Sequence, residues 1–173
     1  MSQKKRDIVD EIGFCALAHI PEMNVSDKLL RELLACYDDY YGYLNTLYGR
    51  IYITHAKVAN TLDVNHGGNC FPKKVEYDGL SEQNKQIIDS FKSATLASLT
   101  KSVLDMSVEG EENRKKFKSN FVVFVQKCFL LLTTVSTTSP IHKLSTLCVD
   151  NIQQWNWATH VLSFLRKGIE AQK

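Results

Sequence analysis

Between residues 49 and 68 the spacing of apolar positions changes from two to about 3.6 at one threonine. Ile51 and Ile53 alternate around Tyr52 as a pleated strand requires. Thr54 then stands where a helix N-cap belongs, and Ala56, Val58, Ala59 and Leu62 recur on one helical face before Gly67 and Gly68. The pattern predicts a short strand running directly into a capped helix.

Helical spacing dominates elsewhere. Ile8, Val9, Ile12, Cys15, Ala16 and His19 share a face over residues 5–19, with Pro21 stopping the helix soon after. Ser26 opens a second helix whose Leu29, Leu30, Leu33, Leu34 and Tyr37 form a wide apolar stripe. The tyrosine-rich segment Tyr37–Tyr43 hands over to a small ribbon, 41–44 with 50–53, predicted as the only sheet. Those phenols suit a half-buried strand better than a base-stacking platform, since no Arg or Lys is interleaved. Residues 65–79 read as the longest loop and the most mobile one.

Ser81 caps a helix to about Lys92, and Thr95–Met106 forms another or its bent continuation. The long helix 111–133 is apolar nearly all round: Phe117, Phe121, Phe124, Cys128 and Leu131 line one side and Val122, Val125, Phe129 and Leu132 widen it. Such a rod belongs at the centre of the domain. A polar turn at 133–139, a short helix at 140–147 and a last helix from Asn151 or Trp155 to Ala171 complete the chain, with Ala158, Val161, Leu162, Leu165 and Ile169 facing inward. The predicted fold is mainly α: a single compact multi-helix domain over 1–173, with a minor two-stranded β element near residues 41–53.

Composition agrees with one globular domain: 173 residues, 44% hydrophobic and 23% charged. A net charge of +2 is too mild to demand a polyanionic partner, so any nucleic-acid reading rests on local clusters. The longest apolar run, 121–132, includes Gln126 and Lys127 and falls short of the roughly 20 residues that span a bilayer, and no signal peptide is visible. These features predict an intracellular protein, nuclear or cytoplasmic, without a membrane partner. Cys15, Cys36, Cys70, Cys128 and Cys148 form an odd set without close repeats, several on predicted buried faces, and read as reduced thiols packed as small hydrophobes.

The order of parts resembles the plant mobile domain, a helical module of plant transposon-derived proteins that can precede a ubiquitin-like-modifier protease domain. The resemblance is carried by Ile8–His19 with its Gly-Phe and closing Leu-Ala-His, by Ile51–Val64 followed by a glycine loop, by Phe117–Leu130, and by Asp150–Leu165 with its Asn156-Trp157 signature. It spans nearly the whole chain and implies plant origin and a non-catalytic interaction role. The usual Leu-Pro-x-Gly-Gly loop reads Asp63-Val-Asn-His-Gly-Gly68 here, and the chain stops just after the signature helix, as either a complete small member or a truncated relic would.

Candidate chemistry is sparse. Cys15/His19 and His66/Cys70 are each one helical turn apart, so a Cys2His2 zinc site can be drawn, against the plainer reading of Cys15 as a packed thiol. Cys70, His66 and Asp63 supply the types of a thiol triad, but in one short loop that would hold its geometry poorly. No phosphate-binding loop, serine elbow or kinase motif is present, so neither a catalytic residue nor a cofactor or metal is assigned. Two basic clusters, Lys4-Lys5-Arg6 and Arg114-Lys115 with Lys118, can contact phosphates, serve nuclear import or form solvated helix faces. Trp155 and Trp157 point in different directions, and Trp155 is either an exposed partner anchor or folded over the Ile152 turn. The expected function is a non-catalytic module recognising a protein partner through Trp155, His66 and Phe71, with a DNA-associated nuclear protein and a small zinc or thiol protein as alternatives.

Overall fold

The computed structural model describes residues 1–14, 16–17, 24–71, 77–131, 149 and 151–171. In chain order these form α1 (Gln3–Glu11), α2 (Asp27–Cys36), β1 (Tyr37–Asp38), β2 (Tyr43–Thr46), β3 (Gly49–Tyr52), α3 (His55–Leu62), α4 (Glu82–Ser90), α5 (Leu96–Asp105), α6 (Glu111–Val125) and α7 (Trp157–Glu170). The expected helix at 140–147 and turn at 133–139 lie outside the described residues.

Helix starts follow local chemistry. Ser26, Thr54 and Ser81 each accept the backbone N–H three residues on, at 3.2, 3.3 and 3.3 Å. Thr95 and Ser98 form a reciprocal capping box. Asn156 caps α7 through the Thr159 N–H at 2.9 Å, so the Asn156-Trp157 pair supplies first a cap and then a core tryptophan.

Two helices end earlier than their apolar spacing predicts. The first stops at Glu11 because Gly13, at φ +80°, reverses the chain, yet Ile12, Phe14 and Leu17 beyond it still reach the core. The long helix keeps α geometry only to Val125 and then makes a π turn over Gln126–Leu130, with the Leu131 N–H reaching the Gln126 carbonyl at 2.7 Å. One extra residue in a turn rotates the side chains beyond it by about 100°. Phe129 in this turn is left 43% exposed, while Gln126, Lys127 and Leu130 are enclosed.

The core forms where α1 and α5 pack on α6, with α3 against α7 completing it. Phe14, Phe117, Val122, Leu131, Trp157 and Ala158 are among its most enclosed members, and Phe91, Leu99 and Val123 make a satellite beside α5. Gln126 is also fully enclosed, and neither amide atom has a hydrogen-bond partner among the described residues. A buried amide without partners costs about 1–3 kcal/mol. Gln126→Leu is therefore expected to stabilise the fold by about 1–2 kcal/mol, read as a higher urea midpoint, whereas a lower midpoint would refute the orphaned amide.

The sheet has three antiparallel strands in the order β1-β2-β3, not the two expected. The backbone turns extended directly at Tyr37, so β1 is recruited straight from the end of α2, with Tyr37 opposite Leu44. The larger departure is α2 itself: it packs on β2 and buries no residue, and Leu29, Leu30, Leu33 and Leu34 stay 37–47% exposed. The Leu165 expected in the core is likewise 46% exposed on α7.

Candidate interaction surfaces

The glycine loop and the segment ahead of α7 hold each other by backbone pairing. Asn69 donates to the Gln154 carbonyl at 2.7 Å, Asn156 donates to the Asn69 carbonyl at 2.8 Å, and Ala158 donates to the Asn65 carbonyl at 3.0 Å. The Asn65 side chain adds bonds to the carbonyls of Gln153 and Gly67, at 2.8 and 3.0 Å. Gly68, at φ +83°, lies so close to Gln154 that a methyl group there would overlap its carbonyl oxygen. Residues 65–69, within the loop expected over 65–79, are thus a strut held by hydrogen bonds to the distant 153–158 segment.

Behind this strut the structure brings two of the expected partner-binding residues together and leaves the third outside. Phe71 is half-buried, with its ring 5.1 Å from Trp155, 4.7 Å from Trp157 and stacked at 4.2 Å on His160. Trp155 is half-buried too, its indole nitrogen enclosed and without a hydrogen-bond partner among the described residues. It packs against the core instead of standing out as an anchor. Trp157 is 2% exposed and donates its ring N–H to the Ile152 carbonyl at 3.0 Å. His66 is exposed.

The basic clusters are largely engaged within the chain. Lys4 pairs with Glu109 at 2.6 Å, which raises the lysine's proton affinity through that hydrogen bond. Lys5, expected on a solvated face, is 6% exposed and donates to the carbonyls of Val103 and Leu104 at 2.9 and 2.6 Å, capping the C-terminal end of α5. Arg114 and Lys118 converge on Glu11, the latter at 2.7 Å, and their hydrogen bonds hold its carboxyl below the usual carboxylate range. Arg6 and Lys115 are exposed. This arrangement ties α1 to α6 and offers no continuous phosphate-binding stripe made from Lys4, Lys5, Arg114 and Lys118.

For metal or thiol chemistry the described residues hold little. No three of His, Cys, Asp and Glu among them gather as metal ligands, while Cys15 and His19 lie outside the described residues. Cys36 and Cys70 are exposed, so neither packs as a small hydrophobe, and Cys128 is half-buried with its thiol pushed up by burial. Among the described residues no helix is long and apolar enough to cross a membrane.

The surface that sequence reasoning missed is the arm formed by α2 and the sheet. Besides the leucine stripe, it exposes Tyr40 and Tyr41 (88% and 65%), Leu47 and Tyr48 at the hairpin tip (both 100%), and Ile51 and Tyr52 (46% and 48%). Large exposed apolar groups in such number on neighbouring elements mark a candidate interaction surface. The only sequence signal was the stripe's width, and an exposed stripe has the same spacing as a buried one.

The chain belongs to the family described as a domain of unknown function (DUF8566), whose model matches residues 1–173. No curated protein and no solved structure matches it.

Proposed function

We propose that the chain is a non-catalytic protein-interaction module of the plant-mobile-domain type, and that it grips a protein partner through the leucine stripe of α2. The observation that carries the reading is the contrast between the two halves of the surface. Leu29, Leu30, Leu33 and Leu34 are left to solvent on a helix that buries nothing, while Lys4, Lys5, Arg114 and Lys118 are used within the chain. A half-exposed leucine row on a helix is the geometry by which a helix enters an apolar groove. The partner's matching surface is accordingly an apolar cleft with a polar rim. A DNA-associated role draws on fewer available charges, and a zinc or thiol role, among the described residues of its Cys/His pairs, on the exposed His66 and Cys70.

The test compares the chain with a Leu30→Glu/Leu33→Glu variant and with Trp155→Ala, using a partner captured from plant tissue and then purified for a binary titration. The double variant is expected to weaken that complex by about thirtyfold, the effect of losing one interface hot spot, and Trp155→Ala to leave it within about threefold. Equal affinity of the double variant and the unmodified chain would remove the proposed surface. Binding to random duplex that falls steeply with salt and is lost on replacing Arg6 and Lys115 would favour the DNA-associated reading instead.

A further inference from the structure

We infer that β3 is a self-pairing edge: two copies of the chain join antiparallel along it, with the two-fold axis at Ile51, to make one continuous six-stranded sheet. The inference concerns backbone groups of β3 and stands whether or not the α2 stripe binds a partner. In the sheet order β1-β2-β3 the outer side of β3 has no strand against it among the described residues, and all of Gly49–Tyr52 are exposed.

The direction of its backbone groups follows from the register. Ile53 donates to the Gly42 carbonyl at 2.9 Å, so Gly42 and Ile53 form a hydrogen-bonded pair, and the pairs two steps along, Leu44 with Ile51 and Thr46 with Gly49, belong to the same set. Tyr43 with Tyr52 and Asn45 with Arg50 are then the non-bonded pairs. The N–H and C=O groups of Arg50 and Tyr52 therefore point away from β2, toward the open side.

Those two residues are two apart, which is what a two-fold edge requires. Setting Arg50 opposite Tyr52 of a second copy lets each such pair exchange both of its backbone hydrogen bonds, and the symmetry repeats the pair on the other side of Ile51. Side-chain chemistry selects the same register. Arg50 facing its own mate would repel it, whereas opposite Tyr52 its guanidinium meets a ring, as it already does over Tyr43 at 4.8 Å within one chain. Ile51, on the other face of the sheet and 46% exposed, meets Ile51 of the second copy in a close non-bonded pair. Alternation keeps both contacts on their proper faces, and a shift by one residue destroys both.

Sedimentation velocity of the whole chain from micromolar to millimolar concentration should show the mass doubling. Ile51→Lys and Ile51→Glu should each remain monomeric, because like charges then meet at the axis, and an equimolar mixture of the two should regain the dimer. A chain that stays monomeric throughout overturns the inference, as does a mixture that stays monomeric while the unmodified chain dimerises. A second measurement needs no charge at the axis: the close pair geometry suits a disulfide. In a Cys36→Ser/Cys70→Ser background, Ile51→Cys should oxidise to a covalent dimer at least tenfold faster than Tyr48→Cys at the hairpin tip. Equal rates would show that the two-fold does not lie at Ile51.

Discussion

Trp157→Ala is expected to cost about 3–5 kcal/mol of folding free energy, the range for removing a large buried aromatic. The indole lies where the end of α1, the glycine strut and the first turn of α7 meet. Its ring is edge-on to Phe14 at 5.2 Å and to Phe71 at 4.7 Å, and its N–H satisfies the Ile152 carbonyl at 3.0 Å. Truncation opens a cavity that three separate segments would have to collapse to fill, and it removes the shorter of the two hydrogen bonds to that carbonyl, which keeps only the Trp155 N–H at 3.4 Å. Urea denaturation at 25 °C reads this as a large fall in midpoint at nearly constant slope. Trp155→Ala, by contrast, removes a half-buried ring whose enclosed N–H has no partner among the described residues, so part of its loss is offset. A Trp155 effect equal to that of Trp157 would contradict this division of the pair.

Gly68→Ala is expected to cost roughly 3 kcal/mol, from crowding plus an unfavourable left-handed backbone. The obstacle to the new methyl is the Gln154 carbonyl oxygen, part of the backbone, so no side-chain rotation relieves it. Nor can the carbonyl simply retreat, because it accepts the Asn69 N–H at 2.7 Å, and Asn156 in turn donates to Asn69. The substitution should thus release the strut as a unit: amide hydrogen exchange at Asn69, Asn156 and Ala158 should accelerate together, ahead of exchange in α6. Gly67→Ala, with only the Asn65 side-chain oxygen near it, at 3.8 Å, should be far milder. Comparable losses at the two glycines would show that the close approach to Gln154 is not what requires a glycine.

The helix starts were legible because a cap is a contact across three residues: a hydroxyl at Ser26, Thr54 or Ser81 finds its amide whatever the rest of the chain does. The strand-to-helix switch at Thr54 was legible for the same reason. Helix ends were less so. Gly13 ends α1 inside an unbroken apolar pattern, and the π turn at Gln126–Leu130 leaves no mark in spacing at all. In both cases apolar periodicity continues through the break, since residues beyond it, such as Phe14 and Leu131, still face the core.

Of the candidate site, the residue types were visible but their surroundings were not. Lys5 was indistinguishable from Lys4 in a basic run, and only the packing of α1 beside α5 turns one toward the carbonyls of Val103 and Leu104 and the other toward Glu109. Nothing in the spacing of Phe71 and Trp155 records that their rings meet, which follows from the 65–69 strut lying against 153–158.

What the amino-acid order settled alone is everything encoded within about one helical turn or one strand pair: mainly helical class, the capped starts, the strand before α3, and the apolar character of α6. What the tertiary structure decided is which apolar face meets the core. The leucine stripe of α2 and the phenylalanine and valine face of α6 are both strongly apolar, yet one remains in solvent and the other is enclosed. Burial is settled by which other surfaces arrive from far along the chain, and periodicity records only that a face is apolar, not what will cover it.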